Sequence, residues 1–155
     1  SGHYYLDRDI NVTSQTRVGN SSNDTRETAV DVVLDLNGYK YTSDNVRCLY
    51  VFPYSKLSLL DSVGAGMICG GSTSSGGALY IERNGAIEMY NGTVTATRQN
   101  TSGGGVLQNV GGIFIMHSGM IYGGSAAASG GNVYIRSAGT FTMKGGTIVG
   151  GVAAT

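Results

Sequence analysis

Tryptophan is absent from this chain of 155 residues, proline occurs once and cysteine twice. A single proline excludes a polyproline linker and a collagen-like rod, both of which need many. Two cysteines without a Cys-x-x-Cys spacing argue against a disulfide scaffold or a structural zinc site. Cys48 and Cys69 read as separate small side chains, and a bond between them stays open from sequence. No apolar run reaches the roughly 18 residues of a membrane-spanning helix, so insertion into a membrane is not expected. Only 13% of residues are charged, ten Lys and Arg against ten Asp and Glu. A neutral chain has no general electrostatic footprint for nucleic acid or an anionic lipid surface. No signal peptide opens the chain, and Ser1-Gly2-His3 reads like the trimmed end of an excised piece.

What is abundant is glycine, 26 residues, which is too costly for a helical bundle. The glycines are periodic. Gly76-Gly77 recurs as Gly103-Gly104 and Gly130-Gly131, a spacing of 27 residues. In the same ungapped register Leu79, Val106 and Val133 align, as do Gly85, Gly112 and Gly139. The columns continue with Ile87/Phe114/Phe141, Met89/Met116/Met143, Gly92/Gly119/Gly146 and Val94/Ile121/Ile148. A more divergent copy precedes them, in which Leu49-Tyr50-Val51 matches Leu79-Tyr80-Ile81, and Leu57 and Leu59 match Ile87 and Met89. Its register slips around Asp61–Ala65, as a surface insertion would cause. Further upstream, Val32, Leu34 and Leu36 alternate with Asp31, Val33 and Asp35 as one more strand.

Within each copy the apolar period is two, the spacing of a strand. Antiparallel hairpins cannot explain columns of identity 27 residues apart, whereas a solenoid can. Like residues then stack about 4.8 Å apart in parallel sheets, with glycine turning the corners. The expected fold is all-β, a right-handed parallel β-helix of about five coils with three short strands per coil. It is expected to be one module over 1–155, with an irregular start over 1–28, divergent coils over 29–75 and three regular coils over 76–155. Asn20–Arg26 reads as a polar loop within that start. The chain stops at Thr155 with nothing to cap the last coil, which points to a module cut from a longer multidomain protein. A neighbouring domain, or a second copy associating end to end, would cover the open coil.

The strings Gly130-Gly131-Asn132-Val133-Tyr134-Ile135, Gly139-Thr140-Phe141-Thr142-Met143 and Gly145-Gly146-Thr147-Ile148 resemble the repeats of pectate-lyase-like right-handed β-helix proteins. Leu34-Asp35-Leu36-Asn37-Gly38-Tyr39 does too. The resemblance covers most of the chain from about residue 3. It extends to repeats of large secreted or cell-surface proteins of anaerobic gut bacteria, and so implies an extracellular or cell-surface location. It speaks for fold more than for function, because such repeats encode coil geometry.

Many β-helices cleave acidic polysaccharides, an activity that needs its own constellation of residues. Glycoside hydrolysis needs two carboxyl groups about 5 to 9.5 Å apart. Asp31 and Asp35, four residues apart on a strand, lie about 13 Å apart. Glu82 and Glu88 fall on different strands of one coil, and Asp7 and Asp9 sit in the irregular start. Residues 89–155 contain no acid, which leaves no acidic calcium site there. His117 shares an outward column with Tyr90 and Lys144 and has no carboxylate in its own copy to orient it; His3 is terminal. No catalytic residue, metal site or cofactor is expected, and the lyase or glycosidase reading is the weakest of three. The five Asn-x-Ser/Thr triplets, among them Asn91-Gly92-Thr93, are ordinary in a chain this rich in those residues. An ice-binding threonine array fails, since Thr93 and Thr95 align with Met120 and Tyr122.

Ten tyrosines are an unusual allotment, and their placement is informative. If Leu79 and Ile81 point inward, Tyr80 and Glu82 point outward. The same rule places Tyr50 and Phe52, Leu107 and Asn109, and Tyr134 and Arg136 on one outer strip, with Tyr54 and Arg83 near its edge. Aromatic rings with Glu, Asn and Arg beside them suit a plant cell-wall or host polysaccharide lying along the axis. A secondary strip holds Tyr90, His117 and Lys144, with Tyr122 beside it. An outward aromatic ladder also stabilises a parallel sheet by stacking alone. A carbohydrate-binding or adhesive module and a passive stalk are therefore the two leading readings.

Overall fold

A computed structural model describes residues 1–20, 25–72 and 74–154. Part of the expected polar loop at Asn20–Arg26, residues 21–24, lies outside the described residues. The chain winds as a parallel β-solenoid. Its first coil is β1 (Gly2–Tyr5), β2 (Ile10–Asn11) and β3 (Thr16–Val18). The second is β4 (Asp31–Asp35), β5 (Lys40–Thr42) and β6 (Leu49–Val51), and the third β7 (Lys56–Leu60), β8 (Met67–Gly70) and β9 (Leu79–Ile81). The fourth is β10 (Ala86–Met89), β11 (Thr93–Ala96) and β12 (Leu107–Val110). Then follow β13 (Ile113–Met116), β14 (Met120–Tyr122), β15 (Ser125–Ala126) and β16 (Val133–Arg136). The last turn holds β17 (Thr140–Met143), β18 (Thr147–Val149) and β19 (Val152–Ala153).

Each of the first five coils contributes one strand to each of three parallel sheets; the last turn adds only β17 and β18 to them, and β19 pairs with β15 in a separate two-stranded sheet. Sheet A runs β1-β4-β7-β10-β13-β17, sheet B β18-β14-β11-β8-β5-β2, and sheet C β16-β12-β9-β6-β3. The core is the stack of inward columns between them. In sheet A, Ile87 pairs in register with Phe114 and Phe114 with Phe141. Those two phenyl rings stack at 5.4 Å. Leu57, Leu59, Ile68, Ile81, Met89 and Met116 are wholly buried in the same stack.

Residues 1–28 are not the irregular start that the sequence suggests. β1 pairs with β4, β2 with β5 and β3 with β6, so residues 2–18 already wind as a coil. The long connection between Val18 and Val30 stretches the spacing to the next coil and hides this turn from a 27-residue comparison.

The ungapped register also fails at one place, with consequences for the strip. Sheets A and B keep it throughout, but in sheet C Leu79 pairs with Leu107, not Val106, and Leu107 with Val133. The extra residue enters ahead of the glycine corner: Thr95 pairs with Tyr122, 27 residues on, but Asn100 bridges to Ala126 and Gly103 to Ser129, each 26 on, so it lies between Thr95 and Asn100. The left-handed corner glycines Gly76 (φ 58°), Gly104 (φ 66°) and Gly130 (φ 61°) follow the shifted register. The next turn takes the residue back. Ile81 and Ala86 are five apart, whereas their partners Asn109 and Ile113 are four apart. A shift of one residue exchanges the two faces of a strand.

Candidate functional site

Sheet C presents one outward column, Arg17, Tyr50, Tyr80, Gln108 and Tyr134, one residue per coil. Three of the strip residues expected from sequence, Tyr50, Tyr80 and Tyr134, share it. Leu107 and Asn109 do not, because the register shift turns them inward, where both are fully buried. Asn109 closes a turn: its Nδ2 donates to the carbonyls of Gly112 (3.1 Å) and Thr140 (2.9 Å), and its Oδ1 accepts from the Gly112 N–H (2.8 Å). Gln108 takes the outward place between Tyr80 and Tyr134, yet is only 3% exposed, and its Oε1 has no hydrogen-bond partner. Phe52 lies beside the column but is only 6% exposed, packed at 4.8 Å against the Tyr50 ring and 5.9 Å from the Arg17 guanidinium. Phe52 and Asn109 therefore offer no outward contact. Glu82 is half-buried and Arg136 exposed.

Much of this column is already engaged. The rings of Tyr50 and Tyr80 stack at 4.8 Å and 14°, so their facing surfaces cover one another. The Tyr50 hydroxyl donates to Glu82 Oε1. Burial, reinforced by that hydrogen bond and the carboxylate charge, pushes the Tyr50 phenol well above its ordinary range. Burial raises the Tyr80 phenol as well.

Arg47, which sequence reasoning passed over, lies 5.3 Å and 4.6 Å from the two ring centroids. With the rings themselves 4.8 Å apart, this near-equilateral triangle puts the guanidinium on the flank of the pair. Arg47 Nη2 donates to Ser75 O at 2.9 Å and Ser74 Oγ at 3.2 Å, and its buried Nε has no partner. Arg47 lies in a turn outside every repeat column, so no periodic signal marks it.

The secondary strip is built around a carboxylate from the neighbouring coil. Tyr90 and His117 stack at 4.5 Å and 4°, with exposed Lys144 next in the column. His117 is not without an acid: Glu88, one coil earlier, accepts from its Nε2 at 3.2 Å, from Tyr90 Oη at 2.7 Å and from Lys56 Nζ at 2.6 Å. The hydrogen bond from Lys56 leads, with that from Tyr90 next, in holding the Glu88 carboxyl at about 2. Tyr122 does not join this group. It stands on sheet B, paired with Thr95 and Val149.

The remaining candidates are accounted for individually. Asp7 pairs with Arg8 at 3.7 Å on the surface, and Asp9 accepts the Lys40 N–H at 2.8 Å. The two cysteines are free thiols. Cys48 is buried with Sγ 3.5 Å from the carbonyls of Tyr41 and Cys69, and burial pushes its thiol up to about 12. Among the described residues no three His, Cys, Asp or Glu side chains come together as metal ligands.

The class that fold and surface define is a parallel β-solenoid with an outward tyrosine column. Comparison with protein-family models, with curated proteins and with solved structures found no match for this chain.

Proposed function

We propose that this chain is a non-catalytic carbohydrate-binding or adhesive module of a secreted or cell-surface bacterial protein, its ligand lying against the outer face of sheet C. One observation carries the reading. Tyr80 and Tyr134 flank Gln108 on a rigid parallel sheet, and neither tyrosine hydroxyl has a hydrogen-bond partner among the described residues. With exposed Arg136 alongside, these groups suit the hydroxyls of a polysaccharide. The resemblance of the repeats to pectate-lyase-like β-helices and to surface proteins of gut anaerobes supports the same reading. Neighbouring domains of a parent protein, or a second copy, are the proposed partners.

Retention on immobilised plant and host glycans tests the proposal. Wild-type chain is expected to be retained and the Tyr80→Ala/Tyr134→Ala double variant to be lost, while undiminished retention of the double variant removes the strip.

A second reading, a passive spacer, has its own observation: the stacked Tyr50–Tyr80 pair, with its Glu82 and Arg47 contacts, is complete without a ligand. A spacer is expected to show no retention, and the same substitutions then lower only thermal stability.

A further inference from the structure

The corner between sheets C and A carries a groove of about 550 Å³ lined by Arg26, Asp31, Tyr54, Asn84 and Ile113. Tyr54 lies in the turn joining β6 to β7, where the Ser55 N–H bonds back to Phe52 O. The turns after β9 and β16 close in the same way, Gly85 onto Glu82 and Gly139 onto Arg136, so Asn84 and Ala138 are the equivalents of Tyr54. All three residues are left-handed, with φ of 62° for Tyr54, 61° for Asn84 and 62° for Ala138. Asn takes that conformation readily, whereas a bulky aromatic rarely does. Local folding does not favour tyrosine there, and a strained aromatic at a groove is a reason to look for a ligand.

The chemistry around it is unspent. Tyr54 is 38% exposed, with the Arg26 guanidinium 5.8 Å from its ring centroid. Among the described residues, the side chains of Arg26, Asp31 and Asn84 and the Tyr54 hydroxyl make no hydrogen bond or ion pair. Asp31 acts on Lys56 only through space. The tyrosine column of sheet C differs, since there Arg47 and the Tyr50 hydroxyl are already taken. An aromatic surface beside a carboxylate, an amide and a guanidinium complements one pyranose unit: ring C–H groups against the aromatic, hydroxyl protons to the carboxylate, hydroxyl oxygens from the amide and guanidinium.

We propose that this corner groove is a sugar subsite, with Tyr54 as platform, Asp31 as acceptor and Asn84 and Arg26 as donors for one neutral pyranose of a glycan chain. The proposal rests on the carbohydrate reading above and moves its principal contact from the sheet to the turn. The probes are immobilised xyloglucan, β-1,4-galactan, mannan and mucin O-glycans, applied to wild type, Tyr54→Ala, Asp31→Asn and Tyr80→Ala/Tyr134→Ala. Ala138 occupies the equivalent place, so alanine is compatible with this turn, and thermal unfolding of each variant reports folding separately.

The expected result is a loss of about tenfold or more in affinity for Tyr54→Ala and Asp31→Asn at unchanged thermal midpoint. If Tyr54→Ala binds like wild type while the Tyr80/Tyr134 variant does not, the groove is refuted and the carbohydrate reading survives on sheet C. If wild type binds none of the four glycans, the subsite is refuted along with that reading.

Discussion

Single residues in this solenoid matter through what lies one coil above or below them. Glu88 gathers Lys56 from the preceding coil and His117 from the following one, and none of these partners is near it in sequence. Its carboxyl falls from the ordinary 4.5 to about 2 on folding. A depressed folded-state value contributes stability above the unfolded value, and that contribution is lost as pH falls through the folded one. Wild-type stability is therefore expected to fall between pH 4.5 and 2 more steeply than that of Glu88→Gln. Urea unfolding of both proteins across that window measures it, and parallel curves would remove Glu88 from the account. Asn109 shows the same dependence in the interior. Asn109→Ala leaves the Gly112 N–H without its acceptor in a buried turn, at a cost of about 2 kcal/mol in chemical denaturation.

At the scale of elements, glycine spacing exposes both how the chain winds and where the sequence misleads. The period of 27 gives the columns of sheets A and B correctly, because Ile87, Phe114 and Phe141 must each fill the same slot. It fails in sheet C because an insertion between Thr95 and Asn100 and a deletion in the turn after β12 cancel, leaving the overall repeat length untouched. Aligned glycines conceal such a pair, while side-chain character betrays it: Leu107, not Val106, is the apolar match for Leu79. Tyr50, Tyr80 and Tyr134 were thus legible. Gln108 and buried Asn109 were not, and neither was the Glu88 cluster, whose Lys56 and His117 come from other coils. Some corners are packed so closely that their glycine cannot change. A Cβ on Gly105 would stand 1.9 Å from Gly131 O and 2.4 Å from Ser125 N, backbone atoms that cannot swing aside. Gly105→Ala is expected to destabilise the fold by about 3 kcal/mol, measured by thermal and urea unfolding.

Across the whole molecule, strand pairing joins each coil only to its neighbours, although the Arg98–Asn45 hydrogen bond reaches from the fourth coil to the second. Stability should therefore largely follow a nearest-neighbour law along the axis. The distribution of burial gives that law a direction. Leu57 and Leu59 of β7, Ile87 and Met89 of β10, and Phe114 and Met116 of β13 are fully buried, whereas no residue of β17 or β18 is. Amide exchange is therefore expected to be slowest in β7, β10 and β13 and to quicken toward β17 and β18. Nuclear magnetic resonance of exchanging amides reads this strand by strand, and equal protection of β10 and β17 would refute nearest-neighbour coupling. Tyr54 and Asn84 lie in the turns leading into β7 and β10, and Tyr80 lies in β9 between them. Tyr134 stands on β16, the edge strand of sheet C, whereas Tyr54, Asn84 and Tyr80 stand on inner coils. A ligand there would meet groups held in place beforehand and would incur little ordering cost on binding. Binding to either surface should accordingly leave the exchange rates of β7 and β10 almost unchanged.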